Sequence, residues 1–382
     1  MPICLSHGGT AIYDSEKFSS EVWVATQDGI SVIQESGRRG AWREARRTLE
    51  GHHVCALLQE AQSGRYFAGT HDAGIAVSDD GEHWQFQNKG LENTNVFSLA
   101  TIKTRGKPLV YAGTEPAALF VSVDLGGSWQ RLTGLDHAAH RDTWAFPAPP
   151  FQGHVKSIAV NADDPDQIYI CVEQGGLYST QDGGKSWTEH TEGMPNDTHR
   201  VVLHPSRHNR IYVSNGFFFN RSDDGGRSWH EMASKIRRIG YADPLVYHPR
   251  KPDLMFVAGA FATPDTWIKG SANSSVSRTR DGGDTWQDVR GGFPDEILPS
   301  FEAGCIEACG DQSQVFLGDT HGEVWMTADE GEQWTCIVKG IPPVSKCLHA
   351  DLIHGKLKLG DQDIKLPEEL RQKMAEMVAR EG

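Results

Sequence analysis

The chain has 382 residues, 38% of them hydrophobic and 23% charged, which is enough apolar material for a core and too much for a disordered segment. Its net charge of −14 argues against a nucleic-acid surface, since phosphates need clustered Lys and Arg, and against an anionic membrane face. No apolar run approaches the ~20 residues of a membrane helix.

From the N-terminus, the apolar stretch Met1-Pro2-Ile3-Cys4-Leu5 is cut short by Ser6 and His7. It lacks the basic flank and longer apolar region of a secretion signal, so a cytoplasmic chain is expected. The seven cysteines are odd in number, widely spaced and without a CxxC pair, which reads as reduced, mostly buried thiols.

A repeat then runs through the chain. Six segments have the form Asp-x-Gly-x-x-Trp: Asp79 to Trp84, Asp124 to Trp129, Asp182 to Trp187, Asp224 to Trp229, Asp281 to Trp286 and Asp329 to Trp334. Five carry a hydroxyl two residues before the Asp, at Ser122, Thr180, Ser222, Thr279 and Thr327. A worn unit, Glu35-Ser36-Gly37 followed by Trp42, makes seven. The Asp can accept hydrogen bonds from turn N–H groups, the glycine takes a positive φ, and the Trp packs across the hairpin, so these acids are structural. Before each box stand two short apolar runs, such as 66–70 and 74–77; one run follows the Trp, and another opens the next unit. Four short strands per unit, repeated seven times, predict an all-β fold: a seven-bladed β-propeller of four-stranded antiparallel blades joined by Asp-box turns.

The leader Gly340-Ile341-Pro342 repeats those that open several inner strands, yet no box follows it. Residues 345–352 are therefore expected to close blade 1 from the C-terminus, giving a propeller over 1–353; closure by residues 2–6 is the alternative. A tail over 354–382 would hold a short strand at 356–359 and a helix at 366–380.

In an up-and-down blade the boxes share a face with the loops between first and second strands. The other loops lie opposite. The Trp spacings of 42, 45, 58, 42, 57 and 48 residues show two long insertions, 137–153 and 261–275, both assigned to that opposite face. They supply candidate substrate-binding residues His140, Arg141, Trp144, Asp265 and Trp267. At the starts of inner strands, His154, His199, Asp243 and Glu302 are candidate catalytic groups. His53, His154 and His199 are candidate ligands for a divalent metal, since imidazole and carboxylate suit Zn, Mn, Fe or Cu. Local hydrogen bonding accounts equally for each histidine.

At Ser122-x-Asp124 to Trp129, Thr180-x-Asp182 to Trp187 and Thr279-x-Asp281 to Trp286, the sequence resembles the Asp-box, or BNR, repeat of sialidases, xyloglucanases, sortilin-type receptors and a photosystem II assembly factor. The resemblance covers residues 20 to about 345 and implies the propeller. It is strongest to cytosolic bacterial BNR-repeat proteins labelled sialidase-like. The Phe/Tyr-Arg-Ile-Pro motif of sialidases is missing, so sialidase activity is not expected. Two functions stand: a hydrolase or lyase acting on a polar small molecule or glycan at the face opposite the boxes, or a non-catalytic scaffold holding a protein partner there.

Overall fold

Short runs of β-branched and aromatic residues closed by tight turns can bury themselves only by stacking, and in the computed structural model they form seven sheets. The structure describes residues 2–37, 40–102, 106, 108–146, 151–207, 209–232, 235–236, 238–264 and 271–345. The expected strand at 356–359 and helix at 366–380 lie outside them, as do Asp265 and Trp267. The inner strands of blades 2 to 7 are Val54–Gln59, Asn95–Ile102, His154–Val160, Thr198–Leu203, Tyr241–His248 and Phe301–Cys309. Each pairs antiparallel with the next strand in sequence.

The box turns are built as their chemistry requires. Asp182 accepts from the backbone N–H of Ser186 at 2.9 Å, from the Ser186 hydroxyl at 2.7 Å and from the Thr180 hydroxyl at 2.7 Å. In blade 2 the turn is one residue shorter than the pattern suggests. There Asp80 accepts from the N–H groups of Glu82 and His83, and Ser78 supplies the sixth hydroxyl, while Asp79 pairs with Arg65. The Trp does more than cover its own hairpin. Trp84, Trp129 and Trp229 donate their indole N–H to Thr48, Gln87 and His190 of the preceding blade, stitching three of the seams.

Backbone bonds fix the two faces. Box glycines 183, 225 and 282 donate to the carbonyls of Asp166 and Asn209 in first-to-second-strand loops and of Asp253 near the start of a second strand. On the other side Ala117 donates to Gly153, Gly216 to Asp197, and Ala272 to Leu298. The described parts of both insertions therefore share the face opposite the boxes.

The inner place of blade 1 goes to the N-terminal segment, the alternative closure, rather than to the C-terminal one. Ile3–Leu5 pairs parallel with Glu21–Thr26, taking the position given above to 345–352, of which all but Ser345 lies outside the described residues. The chain then turns and Ile12–Asp14 pairs parallel with Phe301–Cys309, as a fifth strand on the last blade. Buried Ile3, Cys4, Leu5, Ala11 and Tyr13 explain the choice, because this segment carries the apolar surface that fills the ring's centre. Its turn needs glycine: a Cβ on Gly8 would lie 1.9 Å from the carbonyl oxygen of Phe97, and one on Gly9 2.0 Å from that of Leu57. Residues 3–14 are an axial plug.

Candidate functional site

Six inner strands share an irregularity near their start. The register skips between Val54 and Ala56, Val96 and Ser98, Val155 and Ser157, Thr198 and Arg200, Ala242 and Leu245, and Phe301 and Ala303. A bulge leaves one residue outside the ladder and re-aims its side chain. The residues so released are Cys55, Phe97, Lys156, His199, Glu302 and, with Pro244, Asp243. The plug meets this ring, since Gly8 donates to the Cys55 carbonyl at 3.1 Å and accepts from Leu99 at 2.8 Å.

The polar members form one buried network on the plug's flank. Glu173, at the end of the second strand of blade 4, accepts from Lys156 Nζ at 2.5 Å and faces His154 Nε2 at 2.6 Å. His154 Nδ1 lies 3.4 Å from Glu115. His199 donates from Nδ1 to the Ala242 carbonyl at 2.7 Å, while its Nε2 lies 3.5 Å from both Glu173 Oε1 and Asp197 Oδ1. His7, from the plug, donates from Nδ1 to the Glu302 carbonyl at 3.1 Å and stands 3.3 Å from Asp243 Oδ1. Arg200 donates to the His7 carbonyl.

Burial and charge compete here, and charge wins. Burial alone would lower the His154 imidazole, but the Glu115 and Glu173 carboxylates raise it above its ordinary range. Burial would likewise raise Glu173, yet Lys156 and His154 hold its carboxyl well below the usual value. His154 and His199 are 0% exposed, and Glu173, Asp243 and Glu302 are also buried. Such a cluster can hold charge, a proton or a cation. It presents no carboxyl to a polymer.

The structure brings together His154, His199, Asp243 and Glu302, the candidate catalytic set, but in a closed network. His53 does not join His154 and His199. It bonds the Ser345 carbonyl at 2.9 Å, and the rings of His71 and Phe97 stand between it and His154, which stacks on Phe97 at 3.9 Å. Trp144 is only 8% exposed, donates to the Tyr178 hydroxyl at 3.0 Å and carries the Arg141 guanidinium on its face at 4.5 Å. Arg141 also donates to the Ala117 carbonyl at 2.7 Å, so both residues pin their insertion to the propeller. His140 is exposed and reaches Glu189 at 2.8 Å.

Sequence reasoning missed His7, Glu115, Lys156, Glu173 and Asp197. Glu115 and Glu173 sit at equivalent places, paired with Asn95 and His154 at the starts of inner strands, so aligning second-strand ends would have flagged them. His7 lies outside every repeat and left no such signal.

Open concavities lie elsewhere. A groove of about 610 Å³ follows the seam between blades 4 and 5, lined in part by Tyr169, Glu189, His190, Glu192, Asp224 and Arg227. A depression of about 270 Å³, with Thr10, Arg200 and Tyr247 on its wall, marks the box-face mouth of the channel. Among the described residues, no helix is long and apolar enough to cross a membrane.

A family model described as sortilin, neurotensin receptor 3, matches residues 175–293. A xyloglucanase of Acetivibrio thermocellus is 23% identical over 59% of this chain and 31% of its own length. The chain thus spans about a third of that enzyme. The photosystem II assembly lipoprotein Ycf48 of Synechococcus is 25% identical over 68% of this chain and 67% of its own. Among solved structures, an ancestral GH74 enzyme superposes with a TM-score of 0.58 and 18% identity over 75% of this chain and 39% of that one. Ycf48 bound to D1 peptide superposes with a TM-score of 0.53 and 17% identity over 82% of this chain and 91% of that one. The resemblance seen at the boxes therefore extends over most of the chain, and its relatives include both glycan hydrolases and an assembly factor.

Proposed function

We propose that this Asp-box repeat propeller is a non-catalytic binding module that holds a polypeptide segment in the seam groove between blades 4 and 5. The carrying observation is the closure of the channel network. Its acids and histidines are buried and ion-paired beside the plug, and a glycosidase needs two carboxyls reachable by the sugar, roughly 5–10 Å apart. The groove, in contrast, is open and of ligand size; its wall includes the box turn Asp224–Arg227, so it lies toward the box face, and His140 of the insertion reaches it through Glu189. Glu189, Glu192 and Asp224 outnumber Arg227 on its wall, and the chain carries −14 overall, so the partner segment is basic. A likeness of fold over 82% of this chain to Ycf48, seen bound to D1 peptide, is in keeping with the same reading.

The hydrolase reading draws on the xyloglucanase relatives and on the same groove acids. One experiment separates them. An array of basic, neutral and acidic peptides is probed with the protein, in parallel with reducing-sugar release from xyloglucan. Retention of basic peptides, weakened by salt and by Glu192→Lys, is expected. Sugar release that disappears in Glu189→Gln or Glu192→Gln overturns the proposal.

A further inference from the structure

The buried network contains an arrangement that hydrogen bonding alone leaves incomplete. His199 Nδ1 faces the Ala242 carbonyl, which can only accept, so that nitrogen carries a proton. In a neutral ring Nε2 then bears a lone pair, and it is aimed at two further acceptors, Glu173 Oε1 and Asp197 Oδ1, each 3.5 Å away. Neither His199 Nε2 nor Asp197 Oδ1 has a hydrogen-bond partner, and both side chains are more than nine-tenths buried. Three acceptor atoms converging on one point, with nothing donated between them, is the signature of a cation site.

We propose that Glu173, Asp197 and His199 bind one divalent cation of the zinc class as a closed structural site. One ligand atom from each of these residues lies within 4.8 Å of the others. The two 3.5 Å separations match the edge of a tetrahedral centre with bonds of about 2.1 Å, which is about 3.4 Å. An imidazole with two carboxylates excludes the all-oxygen preference of calcium and magnesium. The surroundings have the form of a second layer around a metal. The Ala242 carbonyl fixes the His199 tautomer, and Lys156 and His154 orient the Glu173 carboxylate from its remaining lone pairs.

The site has a mechanical consequence. Glu173 ends the second strand of blade 4, Asp197 lies in the crossing segment, and His199 is the bulge residue of blade 5. The cation would staple one seam of the ring beside the plug and enter during folding, because the finished site is closed.

Metal content of the full chain, purified without chelators, tests this directly, together with zinc-dependent melting and the visible spectrum of the cobalt(II)-substituted protein. One zinc-class ion per chain is expected, with a higher Tm than the chelated protein and the intense cobalt bands of low coordination. Asp197→Asn, which keeps the shape, should lose the ion and the Tm response. Folded wild type that holds under about 0.1 ion per chain and shows no zinc-dependent Tm shift overturns the proposal. So does undiminished binding by Asp197→Asn, which would place the ion elsewhere. Should that variant fail to fold, the wild-type cobalt spectrum decides, weak six-coordinate bands counting against the site.

Discussion

The Lys156–Glu173 pair offers a test of how much the buried network contributes to the ring. At 2.5 Å and an effective dielectric near 20, their attraction is about 7 kcal/mol. Desolvation of each ion removes several kcal/mol, so the intact pair is worth little net, while loss of one partner costs about 3–5 kcal/mol. The two single losses should be unequal. Glu173 in Lys156→Met still faces His154, so that variant should lose about 3 kcal/mol. Lys156 in Glu173→Gln loses the carboxylate it touches, and the loss should approach about 5 kcal/mol. The double variant should fall short of the sum by at least about 2 kcal/mol. Urea unfolding followed by circular dichroism, in chelator and near about pH 6, measures all four proteins; for a chain this long the larger loss moves the midpoint by about 1 M. The pH matters. His154 is raised in the fold, so its contribution is complete below its ordinary 6.5 and fades as pH rises past the folded value; Glu173 is lowered, so its contribution is present above 4.5 and fades on acidification. A coupling below about 1 kcal/mol, or a greater loss in Lys156→Met than in Glu173→Gln, would refute the reasoning.

Gly8→Ala should unseat the plug, because its Cβ would meet the Phe97 carbonyl oxygen at 1.9 Å; a stability loss above about 2 kcal/mol and rapid proteolysis near the N-terminus are expected. Asp281→Asn should lower the Tm at neutral pH. Burial opposes ionisation of Asp281, but hydrogen bonds from Thr285 and Thr279 prevail and hold its carboxyl at about 2 against the ordinary 3.8, so the gap to wild type should be full above 3.8 and close as pH falls through 2. Among the described cysteines, a thiol reagent on the native protein should modify half-buried Cys309 and Cys336 before fully buried Cys4, Cys55, Cys171 and Cys305, because access decides the order even though burial also pushes the Cys336 thiol up to about 11; peptide mass mapping reads the order.

The blades were legible because their cause is local. A hydroxyl, an Asp, a glycine at positive φ and a Trp specify a turn within about eight residues, and six copies make the ring unavoidable. Even the offset in blade 2 is local, since Ser78 and Asp80 keep the two-residue spacing while Asp79 does not. Closure was less legible. The Gly340-Ile341-Pro342 leader carries the repeat's punctuation, but the inner place of blade 1 goes to Ile3–Leu5, whose pairing with Glu21–Thr26 is parallel and leaves no box-like mark. Nor does spacing reveal that Gly8 and Gly9 must pass so close to two backbone carbonyls that neither has room for a Cβ; that requirement belongs to the centre of the assembled ring.

The candidate metal set shows the same limit more sharply. His53 and His154 occupy like places in blades 2 and 4, one residue before Val54 and Val155, whereas His199, the bulge residue of blade 5, lies two residues further along its strand. His154 and His199, from adjacent blades, share Glu173; His53, two blades from His154, is held off by His71 and Phe97. Groups that meet at a seam come from the end of one blade's second strand and the bulge of the next blade's first. Glu173 with His199 is such a pair, and so is Ser214, which donates to the Asp243 carbonyl at 3.0 Å. Searching a propeller sequence for chemistry therefore means comparing unlike positions in consecutive units, because the rotation between blades separates like positions and brings unlike ones together.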